Sequence, residues 1–197
     1  MKNAILLLTL IILSFQICNA QKLDSNNYHT QRGSLKNSFL KFEKEKKGRV
    51  AFLGGSITFN PGWRDSVCSF LQQKFPETEF DFIAAGIPSM GSTPGAFRFE
   101  RDVLVNGQVD LLFEEAAVND DTNRRTPDEI MRAMEGIVRH AKNANPMCDV
   151  IFMHFVDPGK MEEYRSNKIP EVIQLHEKVA EHYSISTINL AKEVTER

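Results

Sequence analysis

Cysteine is scarce in this 197-residue sequence, which carries three. Cys18 lies in an apolar N-terminal segment, while Cys68 falls in a stretch of helical periodicity and Cys148 at the start of a strand-like run. A disulfide framework is therefore not what holds the fold, and two buried thiols are expected. Neither sign of charge dominates: 24 Lys and Arg face 26 Asp and Glu, for a formal net charge of −2. Such a balance excludes a surface built to attract nucleic acid or anionic lipid. No cluster of His, Cys and Asp has metal-ligand spacing, so neither a metal nor another cofactor is expected. Internal repeats and low-complexity tracts are lacking too. An apolar fraction of 42% with 25% charged residues excludes a disordered chain or a multispanning membrane protein.

The only long apolar run is Ala4 to Leu13. Lys2 precedes it and the small-residue end Cys18-Asn19-Ala20 follows, which is the organisation of a secretory signal peptide cleaved after Ala20. A retained anchor is disfavoured because Gln16 and Asn19 leave the stretch short of the roughly 20 residues a span needs. A lipid anchor on Cys18 is disfavoured by Gln16-Ile17 before it. The expectation is a secreted or periplasmic protein with no stable membrane span once the leader is gone. Residues 21–47 are polar, with the mixed-charge run Lys41 to Lys47, and predict a solvated lead-in to a single domain over residues 48–197.

Within that domain short apolar segments alternate with helix-period segments, the pattern of βαβ units. Strands are predicted at Arg49 to Leu53, Glu79 to Ala85, Asp110 to Val118, Val150 to Val156 and Ile185 to Leu190. Helices are predicted from Trp63 to Phe75, Phe97 to Val105 and Pro170 to Tyr183. The best-signalled helix opens with the capping box Thr126-Pro127-Asp128-Glu129, and Ile130, Met134, Ile137, Val138 and Ala141 form its apolar stripe. These elements predict a three-layer α/β/α sandwich on a five-stranded parallel sheet, with ligands at the carboxyl ends of the strands.

Three of those strand ends carry residues suited to acyl transfer. Gly54-Gly55-Ser56 lies where the first strand turns toward its helix, so glycine allows a sharp bend and leaves the Ser56 hydroxyl at the sheet edge. The turn is not the G-x-S-x-G elbow, since no glycine follows two residues after the serine. Nor is it a P-loop or a dinucleotide-binding loop. The second strand ends at Gly86 and the third at Asn119-Asp120. A backbone N–H at a glycine and an uncharged side-chain amide are the donors that an oxyanion hole requires.

Gly55-Ser56, Gly86 and Asn119-Asp120, in that order at successive strand ends, resemble the first three sequence blocks of the SGNH (GDSL-like) hydrolases. These are esterases and acylhydrolases on a flavodoxin-like sandwich. The resemblance covers roughly residues 48–190. It implies Ser56 as nucleophile, with the Ser56 and Gly86 amides and the Asn119 side chain as oxyanion hole. Two positions depart from the family pattern: Gly55 stands where an Asp is usual, and Ala117 where the third block usually has Gly. The implied partner is a small ester or an acylated carbohydrate. Acetyl or other short acyl groups are the implied leaving acids.

The family's fourth block, an Asp-x-x-His after the fifth strand, has no counterpart: no histidine follows Leu190. Serine without a base is a weak nucleophile. The expectation is a C-terminally incomplete enzyme domain with little activity of its own. The alternative is a non-catalytic glycan-binding relative; a flavodoxin-like cofactor binder is disfavoured by the absence of a Ser/Thr-rich phosphate loop. His154, near the correct sheet edge with Asp157 beyond it, is a poor substitute base, and His29, His140, His176 and His182 are expected to pack or to lie at the surface. Glu114 and Glu115 sit inside a strand that should be buried, and Arg98 and Arg101 are the expected partners.

Overall fold

The computed structural model describes residues 24–197. The predicted leader, residues 1–20, lies outside them. The strands are β1 (His29–Thr30), β2 (Lys47–Gly54), β3 (Glu79–Gly86), β4 (Leu111–Glu115), β5 (Asp149–His154) and β6 (Ser186–Asn189). Among the described residues they form one sheet in the order β1-β6-β5-β4-β2-β3. The five strands from β2 onward run parallel, as the alternating pattern predicts, and β1 adds a sixth, antiparallel to β6. The helices are α1 (Lys36–Glu45), α2 (Ser56–Phe59), α3 (Trp63–Lys74), α4 (Ser92–Asp102), α5 (Ala117–Thr122), α6 (Pro127–Ala144), α7 (Pro158–Arg165), α8 (Glu171–His182) and α9 (Leu190–Glu196).

Every residue of β4 and β5 is buried, because helices cover both faces of the sheet. Successive residues of one strand point to opposite faces and so serve two cores. Ala51 and Leu53 join Leu112, Phe152 and the apolar stripes of α4, α6 and α8. Val50 and Phe52 join Phe113, Ile151, Phe42 of α1 and Leu71 of α3, with Trp63 packed against them. The order in which strands are added reverses at β2, with β3 on one side and β4 on the other. The crevice at their carboxyl ends is the topological switch point where such sheets bind ligands.

The predicted solvated lead-in is corrected by the structure. Leu35, Phe39 and Phe42 recur at helical spacing, and Phe42 is fully buried, edge-on to Phe75 and Phe80. Ser38 donates from both its N–H and its hydroxyl to Asp149 Oδ2 at 2.8 Å, and Lys41 reaches Asp110 Oδ1 at 2.7 Å. The charge run is thus one side of an amphipathic helix whose apolar side completes a core. Among the described residues Cys68 and Cys148 are free thiols, as expected, but only Cys148 is buried and Cys68 is partly exposed.

Candidate active site

β2 ends at Gly54, Gly55 precedes α2, and Ser56 is the first residue of that single turn. The turn closes through Phe59 N–H to the Gly55 carbonyl at 2.9 Å and Asn60 N–H to the Ser56 carbonyl at 3.0 Å. Ser56 is half-buried at the carboxyl edge of the sheet, while Gly54 and Gly55 are buried beneath it. The expected nucleophile therefore stands at the switch point.

Gly86 and Asn119 meet this turn from two sides. A Cβ on Gly86 would lie 2.6 Å from the Thr58 carbonyl carbon and 2.8 Å from Phe59 Cα, so the bare glycine is what lets β3 end against α2. A Cβ on Gly55 would press into the Asn119 amide, with Cγ 2.9 Å away. Any side chain at this position would have to displace the Asn119 amide. Asn119 is not at a strand end, as the apolar run to Val118 predicts; β4 stops at Glu115 and Asn119 rides on α5. Its neighbour Asp120 holds that helix in place. One carboxylate oxygen accepts from the Ser92 N–H at 2.8 Å and the other lies 3.0 Å from His176 Nε2, tying α5 to α4 and α8.

The expected partners of the two buried glutamates are corrected. Arg98 pairs with Asp102 and donates to the carbonyls of Gly54 and Ala85, at 3.1 and 2.7 Å; Arg101 also pairs with Asp102. The arginine thus satisfies strand-end carbonyls, not acids. Glu115 instead accepts from the Gly55 N–H at 3.2 Å and the Thr58 hydroxyl at 2.9 Å. Burial, opposed by those two bonds, pushes its carboxyl up to about 7. Glu114, on the opposite face of the strand, is raised well above the usual carboxylate range by burial and then by Asp120 and Glu115.

A raised carboxyl costs nothing while both folded and unfolded chains are protonated. Its cost grows as pH rises from the unfolded value to the folded one. For Glu115 that window runs from 4.5 to about 7 and the cost reaches about 3 kcal/mol. His154 acts in the reverse sense: burial holds its imidazole below the usual value, so stability is lost as pH falls from 6.5 toward that lowered value. Glu115→Gln isolates the first effect. In urea melts the parent should lose about 3 kcal/mol relative to the variant between pH 4.5 and 7; a pH-independent difference contradicts the assignment.

None of the histidines is hydrogen-bonded to Ser56 among the described residues. His154, at the end of β5, is fully buried with Nε2 2.8 Å from Glu177 Oε1, and Glu177 is held in turn by Arg32. His176 is committed to Asp120. His140 lies in α6, His182 in the last turn of α8 and His29 in β1. The tie between Glu115 and the serine turn is not predicted from the sequence. Two adjacent glutamates in an apolar strand are the signal, but the donors to Glu115, the Gly55 N–H and the Thr58 hydroxyl, lie far away in the chain and only the fold brings them to it.

The family model described as "GDSL-like Lipase/Acylhydrolase family" matches residues 52–197. The chain belongs to that family. Comparison with curated protein sequences gives no match. A two-domain esterase active on acetylated mannans, crystallised with mannopentaose, is similar at 25% identity and a TM-score of 0.72, over 88% of this chain and 46% of that one. This GDSL-like chain thus spans about half the length of that esterase. An acetylxylan esterase from Geobacillus stearothermophilus (18% identity, TM-score 0.63) and a lipase/acylhydrolase from Enterococcus faecalis (19%, 0.61) share the fold; each match covers 76% of this chain and 80% of the other. No helix among the described residues is long and apolar enough to cross a membrane.

Proposed function

We propose that this GDSL-like domain carries the acyl-transfer site of an exported carboxylic ester hydrolase that removes acetyl or other short acyl groups from carbohydrate. The observation that carries the reading is the meeting of three separate segments, with Gly86 at the end of β3 against the backbone of α2 and the Asn119 amide of α5 against Gly55. In the proposed mechanism the Ser56 hydroxyl oxygen attacks the ester carbonyl while its proton passes to a base outside the described residues, which returns it to the alcohol as the ester C–O bond breaks. Water then cleaves the acyl-serine and frees the acid. The charge that develops on the carbonyl oxygen is met by the Ser56 and Gly86 N–H groups and the Asn119 amide. Asn119 makes no side-chain hydrogen bond to another described residue, so its donors are available for that oxygen. The carbohydrate part of the reading is supported by the mannan-active esterase at 25% identity.

A second reading is favoured by the histidines. With His154 and His176 bonded to Glu177 and Asp120, the described residues offer Ser56 no base, and a glycan-binding domain without turnover would need none. Acetate release from acetylated manno-oligosaccharides by the full gene product decides between the two. The esterase reading expects release together with covalent labelling by a fluorophosphonate. Binding of the oligosaccharide with neither release nor labelling would establish the second reading instead.

A further inference from the structure

The turn that bears Ser56 has few ties of its own. α2 is four residues long, and its cap, Gly55, has no side chain with which to anchor it. It is gripped from beneath by one oxygen of Glu115. Oε2 accepts from the Gly55 N–H at 3.2 Å and from the Thr58 hydroxyl at 2.9 Å, so the bonds fall on either side of Ser56. A Cβ on Gly54 would lie 2.7 Å from the same Oε2, which shows how closely the carboxyl group is seated under the end of β2. Glu115 is almost wholly buried, and its Oε1 has no hydrogen-bond partner among the described residues. An orphaned carboxyl oxygen is costly in a core. An apolar residue would fill the volume without that cost, so the acceptor itself is what the site requires. The other groups acting on the carboxyl are Asp120 from α5 and Lys160 from α7, with Glu114 adjacent on the same strand.

We propose that Glu115 is a positioning residue for Ser56: its carboxyl group fixes the Gly55–Thr58 turn and so sets where the Ser56 hydroxyl and N–H stand relative to Asn119. The proposal rests on Ser56 as nucleophile and deepens that reading. Glu115 does not touch substrate; it acts through the turn. Displacing a nucleophile by about 1 Å is enough to cost roughly 10²-fold in rate.

The test uses the full gene product, a fluorophosphonate and the Gly55 amide resonance. Glu115→Ala should lower the maximal labelling rate about 10- to 100-fold with the reagent's half-saturation little changed. Glu115→Gln keeps an acceptor oxygen and should restore most of that rate. In the parent the Gly55 N–H should resist exchange and its resonance should move with pH as the carboxyl titrates. In Glu115→Gln it should stay protected and stop titrating. Labelling of Glu115→Ala at the parental rate with Gly55 still protected overturns the proposal. If Glu115→Ala does not fold, a Gly55 N–H that exchanges freely in the parent, or a Glu115→Gln variant that labels at the parental rate with its Gly55 N–H unprotected, overturns it equally. Labelling of Ser56→Ala at the parental rate sinks the nucleophile reading itself and with it the role of Glu115, and is distinguishable because the change then lies at Ser56 and not at Glu115.

Discussion

Ser56→Ala is expected to abolish fluorophosphonate labelling and to lower ester hydrolysis on the order of 10⁶-fold in any form of the protein that turns over. The magnitude follows from the chemistry: the alanine side chain has no oxygen to form the acyl-enzyme, and what remains is binding and oxyanion stabilisation. The substitution should leave the fold intact. Ser56 is half-buried, its hydroxyl makes no hydrogen bond to another described residue, and the turn is held by backbone bonds and by Glu115. A melting temperature within a few degrees of the parent should therefore accompany the loss. Mass spectrometry of the labelled parent should place the adduct on the peptide containing Ser56. An adduct on any other serine, or hydrolysis undiminished in the variant, rules the assignment out.

How far the fold was legible in the sequence depends on whether the signal was local. α6 is announced by Thr126 and Glu129, which cap each other's backbone as the capping box predicts. The buried parallel strands are legible as apolar runs because both faces need apolar residues. α7 is not legible, since the residue it buries is Lys160, whose ammonium lies 2.6 Å from Asp157 and 3.0 Å from Asp121. A helix held by an ion cluster leaves no apolar period. α4 begins at Ser92, five residues before the predicted start, because Pro94 sits in the first helical turn, where its missing N–H costs no bond. β1 is two residues long and owes its existence to β6, which no local pattern reveals.

The candidate site was legible in part for the same reason. Ser56 and Gly86 stand where strands end, and Asn119 stands in the short helix that follows β4, positions where the residue types suit the chemistry proposed for them. What the sequence hides is how these turns are tied together. Asp120 joins three helices through Ser92 and His176, and Glu115 reaches the serine turn through a main-chain N–H. Both ties are buried polar contacts between segments far apart in the chain. Their partners are specified by topology, which is why Arg98 and Arg101, the counter-ions the sequence predicts for Glu114 and Glu115, are engaged elsewhere.

Gly86→Ala should have the second largest effect, and it separates the architecture of the site from its chemistry. The added methyl would stand 2.6 Å from the Thr58 carbonyl carbon and 2.8 Å from Phe59 Cα. Both obstacles are main chain, so no side-chain rotation relieves the clash. Either the end of β3 or the α2 turn has to move. The eight-residue register between β2 and β3 resists the first, and the four-residue turn is the softer element. Overpacking of this kind costs about 1–3 kcal/mol, and a displacement near 1 Å at a nucleophile costs about 10²-fold in rate. The same movement would pull the Ser56 and Gly86 N–H groups out of common register, and loss of one oxyanion donor costs a further 10²–10³-fold. The expected result is a folded protein, melting several degrees lower, whose labelling at Ser56 falls by about 10³-fold or more. Conversely, parental labelling in Gly86→Ala would mean that β3 yields and that Gly86 takes no part in the site.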